Sequence, residues 1–156
     1  MRTLVVVDAQ YHYLSWDVNG YDKIIKNIQK MVQKWKKQNW PIIFVEFGSE
    51  KTLSDITNLV KGYNKVYTIR KDEADGSQQV SNVVFNNNLP KDLHFCGVNW
   101  NQCVQTTIFH LLINHSDISV KAYRQASNPN CFRRKFEKYH RWGHMKYIFK
   151  DKIKVY

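Results

Sequence analysis

Short runs of apolar, largely β-branched residues recur along this chain, and a stretch with helical spacing follows each of the first four. The runs are Leu4-Val5-Val6-Val7, Ile42-Ile43-Phe44-Val45, Lys65 to Ile69, Leu93 to Val98 and Ile118 to Ala122. Leu4–Val7 and Ile42–Val45, apolar at every position, have no solvent face and so read as buried strands of a parallel sheet, and the other three runs read as further strands. Between the first two, Ile24, Ile25, Ile28, Met31, Val32 and Trp35 form one helical stripe, with Lys23, Lys26, Lys30, Lys34 and Lys37 around the rest. Leu53, Ile56, Leu59 and Val60 outline a second helix, with Gly62 as its cap. A polar loop from Lys71 to Ser77 leads to a short helix around Val80, Val83 and Val84, closed by Pro90. Val104, Thr107, Ile108, Leu111 and Leu112 share one face of the next helix. The C-terminal part reads as a helix from about Cys131 to Trp142 and a last strand near Ile153 to Val155. Strands alternating with helices predict an α/β chain with a doubly wound parallel sheet. With no repeat, low-complexity tract or linker, residues 1–156 read as a single domain.

Composition narrows the class. The chain is 43% apolar and 14% aromatic, which favours a packed core over disorder. The first apolar run stops at Asp8, too early for a signal peptide, and no stretch approaches the length of a bilayer. A cytoplasmic protein with no membrane partner is therefore expected. Cys96, Cys103 and Cys131 are an odd count with no CxxC pair, which disfavours a disulfide framework or a thiolate zinc site and leaves free thiols. The net charge of +11 is uneven: residues 133–156 carry nine Lys or Arg against Glu137 and Asp151. This basic segment, 131–156, is interleaved with aromatic residues and has two readings. It docks nucleic acid or an acidic partner, or it is a solvated helix face that also makes contacts within a homo-oligomer.

In an open parallel sheet, ligands bind at the carboxyl ends of the strands. Asp8 ends the first strand, Lys71 follows the third, and Cys103 opens the helix after the fourth. A helix N-terminus favours a thiolate and offers N–H groups to a developing oxyanion. A lysine nearby adds to the first effect, and a carboxylate can take the thiol proton and pass it to a leaving nitrogen. The competing reading of Cys103 is a small buried hydrophobe. His12 and Trp100 are candidates to line such a pocket, Trp100 as a stacking platform or else as a structural plug. Gln10 either supports its own strand end or touches substrate, and Cys96, in mid-strand, reads as inert core.

The segment Cys96-Gly97-Val98-Asn99-Trp100-Asn101-Gln102-Cys103-Val104-Gln105-Thr106-Thr107 resembles the signature of the isochorismatase-like cysteine hydrolases. Val5-Val6-Val7-Asp8-Ala9-Gln10 is similar to the family's first strand, and Ile69-Arg70-Lys71 to its lysine segment. The resemblance implies a three-layer α/β/α, Rossmann-like fold with six parallel strands in the order 3-2-1-4-5-6. It implies an Asp8–Lys71–Cys103 triad that hydrolyses a small amide, carbamoyl or related substrate through a covalent intermediate. It further implies a cis peptide at Val98–Asn99, aiming the N–H groups of Asn99 and Cys103 at an oxyanion. Metal-binding members carry an Asp-x-His pair after the second strand. Here Glu46-Phe47-Gly48-Ser49-Glu50 stands there without a histidine, so a metal-independent, cofactor-free enzyme is expected. The family's acid near the end of strand five is replaced by Arg124 or Gln125, and the chain is short, so oligomer contacts are expected to help close the site.

Three rival readings stand beside this one. A metal-dependent nuclease of the PIN or NYN type would gather Asp8, Asp72, Glu73 and Asp75 around Mg²⁺ or Mn²⁺ and hold phosphates with the basic segment. A catalytically silent member of the hydrolase fold would keep the architecture as a binding protein. A small-molecule binder would use Cys103 as a redox-sensing thiol.

Overall fold

The computed structural model describes residues 1–14, 21–127 and 142–156 of the chain. Six strands form one sheet: β1 (Thr3–Val7), β2 (Ile42–Phe47), β3 (Val66–Lys71), β4 (Asp92–Gly97), β5 (Ser119–Ser127) and β6 (Ile153–Val155). Their order is β3-β2-β1-β4-β5-β6, and every neighbouring pair is parallel. This is the expected order, with β1 and β4 side by side where the strand order reverses.

The continuous apolar runs are explained by the two cores that the sheet separates. Side chains alternate along a strand, so Val5 and Val7 face one layer while Leu4 and Val6 face the other. On the first side, Val5, Val7, Ile43, Val45 and Phe95 pack against α4 (Ser77–Asn86), α5 (Gln105–Asn114) and α6 (Trp142–Phe149). On the second, Leu4, Val6, Ile42 and Phe44 pack against α2 (Tyr21–Lys37) and the short α3 (Ser54–Thr57). A one-turn helix, α1 (Tyr11–Leu14), follows β1.

α2 buries most of the stripe read from its sequence: Ile24, Ile25, Ile28, Val32 and Trp35 are inside, and Met31 is half-buried at its edge. Burial of each such side chain is worth about 1.5–3 kcal/mol, enough to hold the helix against the sheet. The second predicted helix is shorter than its spacing implies. α3 gives way at Asn58 to a 3₁₀ turn, Asn58–Val60, and Gly62 follows with φ +74°. Ile56 and Val60 nonetheless reach the core, so the apolar pattern was met by a single turn plus a tighter one.

Only the end of the predicted C-terminal helix can be compared, because residues 131–141, with Cys131, lie outside the described residues. α6 is described from Trp142 onward, and a 3₁₀ turn over Lys150–Lys152 leads into β6 where a last strand was expected. β5 runs further than predicted and shifts register against β4: Phe95 pairs with Ala122, but Gly97 pairs with Ser127. Arg124 and Gln125 lie on that irregular stretch and are exposed. Among the described residues no helix is long and apolar enough to cross a membrane.

Candidate active site

Three strand ends bring Asp8, Lys71 and Cys103 together, and the local backbone is unusual at two of them. Asp8, directly after β1, has φ +53°, and Asn99, two residues past β4, has φ +60° and ψ 49°. Left-handed backbone is uncommon for non-glycine residues, though Asp and Asn tolerate it better than most. At Asp8 the turn is held by its N–H donating to Val45 O at 2.9 Å, and by Gln10 N–H donating back to Asp8 O at 2.8 Å. The strand β1 therefore ends by pointing a carboxyl group into the interior above the sheet.

Lys71 is the last residue of β3, and its side chain is fully buried. Its Nζ lies 3.2 Å from Asp8 Oδ2 and donates to the carbonyl oxygens of Glu73 at 3.0 Å and Ala74 at 3.5 Å. The ammonium also sits 4.7 Å from the centre of the Phe47 ring. A buried charge is tolerable only when paired and hydrogen bonded, and here carboxylate, carbonyls and ring supply that. Asp8 Oδ1, in contrast, has no hydrogen-bond partner although it is buried. Burial pushes the Asp8 carboxyl above the usual carboxylate range, against the opposing pull of Lys71.

Cys103 stands in a wide π-helical turn, Trp100–Val104, that leads into α5. The Asn99 carbonyl closes this turn, accepting from Gln102 N–H at 2.9 Å and Val104 N–H at 3.3 Å. The thiol lies against the Asp8 carboxyl, and Asn99 Nδ2 approaches its sulfur at 3.8 Å. Asn99 Oδ1 is buried and has no partner. Burial first, and then the negative charge of Asp8, push the Cys103 thiol up to about 12, outweighing Lys71. Sequence reasoning had the helix end lowering this thiol. Burial of the thiol in the turn that leads into α5 disfavours the thiolate and opposes that lowering.

The Val98–Asn99 peptide is trans, as are the other peptide bonds of the described residues, so the expected cis bond is corrected as well. Instead of a cis bond, the left-handed conformation of Asn99 turns the chain from β4 into the π-helical turn.

The remaining candidates separate by what their polar atoms touch. Gln10 Nε2 donates to Phe47 O at 2.9 Å and Glu50 O at 2.7 Å, while its Oε1 accepts from Phe47 N–H at 2.9 Å. It thus fastens the loop after β2 to the end of β1. His12 is exposed and donates its backbone N–H to Glu50 Oε1 at 3.1 Å. Trp100 is buried and stacks on Trp142 of α6, with centroids 4.3 Å apart.

Glu46, at the position of the family's metal-binding pair, accepts Thr52 N–H at 2.8 Å and the Lys51 ammonium at 3.3 Å. Of the nuclease cluster, Asp8 pairs with Lys71, and Asp75 accepts from Ser77 and meets His110 Nδ1 at 2.6 Å. Among the described residues no three His, Cys, Asp or Glu side chains are grouped to hold a metal ion.

Two positioning residues escaped the sequence reading. Thr107 Oγ1, on the inner face of α5, accepts the buried N–H of Gly76 at 2.9 Å. A Cβ on Gly76 would lie 3.0 Å from Lys71 Cδ and 3.3 Å from Val45 Cγ1, so the loop after β3 presses directly on the lysine stem. Thr107, already placed on the apolar stripe, was the available signal, since a hydroxyl on a buried face needs a partner. Thr107→Val, which keeps the shape and removes the acceptor, is expected to destabilise the fold by about 1–3 kcal/mol. Urea denaturation measures this, and an unchanged midpoint would show that the loop holds Lys71 without α5.

A family model described as an isochorismatase domain matches residues 2–121. No curated protein matches the chain. Among solved structures, the pyrazinamidase/nicotinamidase of Streptococcus mutans is similar with a TM-score of 0.74 at 12% identity, over 99% of this chain and 100% of that one. The N-carbamoylsarcosine amidase of Thermoplasma acidophilum superposes with a TM-score of 0.73 at 13% identity, over 99% and 94%. A ribonuclease of Caenorhabditis elegans also superposes, with a TM-score of 0.68 at 15% identity over 81% of this chain and 64% of that one. At such identities the likeness is one of fold, and proteins with different stated activities share it.

Proposed function

This chain belongs to the isochorismatase family, and from that premise we propose that it is a metal-independent cysteine hydrolase of small amide or carbamoyl compounds. The observation that carries the reading is the buried Asp8 carboxyl, held by Lys71 Nζ on Oδ2 at 3.2 Å, with the Cys103 thiol lying against it. A buried ion pair costs desolvation free energy, and a proton acceptor for the thiol is a use that offsets the cost. Attack forms the S–C bond to the substrate carbonyl as the thiol proton passes to Asp8. Lys71 holds the carboxylate in place and balances its charge. Backbone N–H groups of the Asn99–Cys103 turn receive the oxyanion. The protonated Asp8 then gives its proton to the departing nitrogen as the C–N bond breaks, leaving a thioester on Cys103. Water, deprotonated by Asp8, cleaves the thioester, and the thiol is restored. Because the thiol is pushed up, the proton leaves during attack, so the resting site holds no preformed thiolate.

Two measurements test this. Incubation with a panel of primary amides and N-carbamoyl compounds, followed by acid quench and mass spectrometry, is expected to show an acyl adduct on the peptide containing Cys103, with release of ammonia. Iodoacetamide labelling of Cys103 in the absence of substrate is expected to rise with pH through pH 9 with no plateau, following a thiol at about 12. A plateau near neutrality would establish a resting thiolate and remove the need for Asp8 as base. The silent-fold reading predicts neither adduct nor ammonia.

A further inference from the structure

The outer face of α2 bears one row of lysines. Lys23, Lys26, Lys30, Lys34 and Lys37 are spaced at three or four residues, all exposed, along a helix of 17 residues. At 1.5 Å per residue the row is about 21 Å long. From Lys23 to Val45 the chain contains six lysines and no Asp or Glu. None of the five ridge lysines has an ion pair or side-chain hydrogen bond among the described residues, whereas Lys36, off the row, donates to Leu59 O at 2.7 Å. The arrangement is unfavourable for the helix alone. Like charges at i,i+3 and i,i+4 repel each other, and Lys23 and Lys26 lie near the positive end of the helix dipole. Fold formation does not need them, since Ile24, Ile25, Ile28, Val32 and Trp35 make the core contact.

We propose that this ridge is a docking surface for the phosphate backbone of a nucleic acid. Its length matches the axial rise of about six nucleotides of one B-form strand, and lysines act as point charges that contact phosphates without reading bases. The apolar side chains of α2 that a membrane-surface helix would insert into lipid are instead buried against the sheet. That makes a polyanion in water the better complement than a bilayer. The ridge lies on the opposite layer from α5, which carries the Cys103 turn, so binding there is separate from the proposed hydrolysis.

The test is fluorescence anisotropy of the full chain with a labelled 20-base-pair duplex DNA and a 20-nucleotide single-stranded RNA between 50 and 200 mM salt. The variant K23Q/K26Q/K30Q/K34Q/K37Q is expected to flatten the slope of log affinity against log salt by about four for the duplex, with at least about a tenfold loss of affinity at the lowest salt. The five arginine replacements at the same positions are expected to keep the slope. Circular dichroism is expected to show the glutamine variant folded, since repulsion has been removed. A control replaces Arg133, Arg134, Lys135, Lys138 and Arg141 by glutamine. Loss of slope in this control but not in the ridge variant would overturn the proposal in favour of the C-terminal segment. So would absence of binding to both probes, or ridge-dependent binding confined to phosphatidylserine vesicles.

Discussion

Gly97→Ala is expected to yield little or no folded protein. Gly97 ends β4 beside Val7 of β1, with φ +135°, a region that L side chains rarely enter. A Cβ there would lie 2.0 Å from Val7 O, 2.6 Å from Val7 N and 2.8 Å from Val7 C. These are backbone atoms of the central strand, so no rotamer change relieves the clash. Relief requires β1 and β4 to separate, which removes the bond from Val98 N–H to Val7 O at 2.8 Å and displaces Asp8, the next residue. Destabilisation above about 4–5 kcal/mol follows, a large part of the roughly 5–15 kcal/mol that holds a typical domain. Gly48→Ala provides the contrast: its φ is +62° but nothing lies within 4 Å of the added methyl. That change is expected to cost only the left-handed backbone penalty, about 1–2 kcal/mol. Soluble yield and thermal melting of the two variants, side by side, measure the difference. Similar melting temperatures would show that the strands do not approach as closely as the structure has them.

The same glycine marks how much could be read from the sequence. The runs Leu4–Val7 and Ile42–Val45 were legible because burial on both faces leaves its mark at every residue, without need of any partner's identity. The strand order and the convergence of Asp8, Lys71 and Cys103 followed from the family resemblance and from the geometry of parallel sheets. What the sequence could not carry was anything decided by residues distant in the chain. The surroundings of Trp100 depend on Trp142, which stacks against it from far along the chain. The fit of the lysine loop depends on Thr107 accepting from Gly76. The wide turn from Trp100 to Val104 has no periodic signature, so Cys103 was set at a helix start when it lies within that turn. A helix end is visible in sequence, but desolvation belongs to the packed state, and desolvation is the larger effect here.

Cys103→Ala is expected to abolish turnover, by about 10⁴-fold or more once a substrate is identified, because the proposed mechanism forms its covalent bond at the Cys103 sulfur. The variant keeps the volume of the site nearly unchanged, and its melting temperature is expected to stay close to that of the parent chain. Asp8→Asn addresses the proton rather than the bond and is expected to lower kcat by about 10²–10⁴-fold. It also leaves Lys71 without its carboxylate in a fully buried position, a loss that costs about 3–5 kcal/mol when one partner of a buried pair is removed. Melting must therefore be measured with activity. The pH profile separates the two roles. In the parent chain the base form of Asp8 is lost as pH falls through a carboxyl raised above 3.8 by burial, so the acid limb of kcat/KM is displaced upward from the ordinary carboxylate range. In Asp8→Asn that limb is expected to vanish while residual activity persists, and in Cys103→Ala no limb can be observed at all. Persistence of the limb in Asp8→Asn would assign the proton to another group, and the buried pair of Asp8 and Lys71 would then need a different explanation.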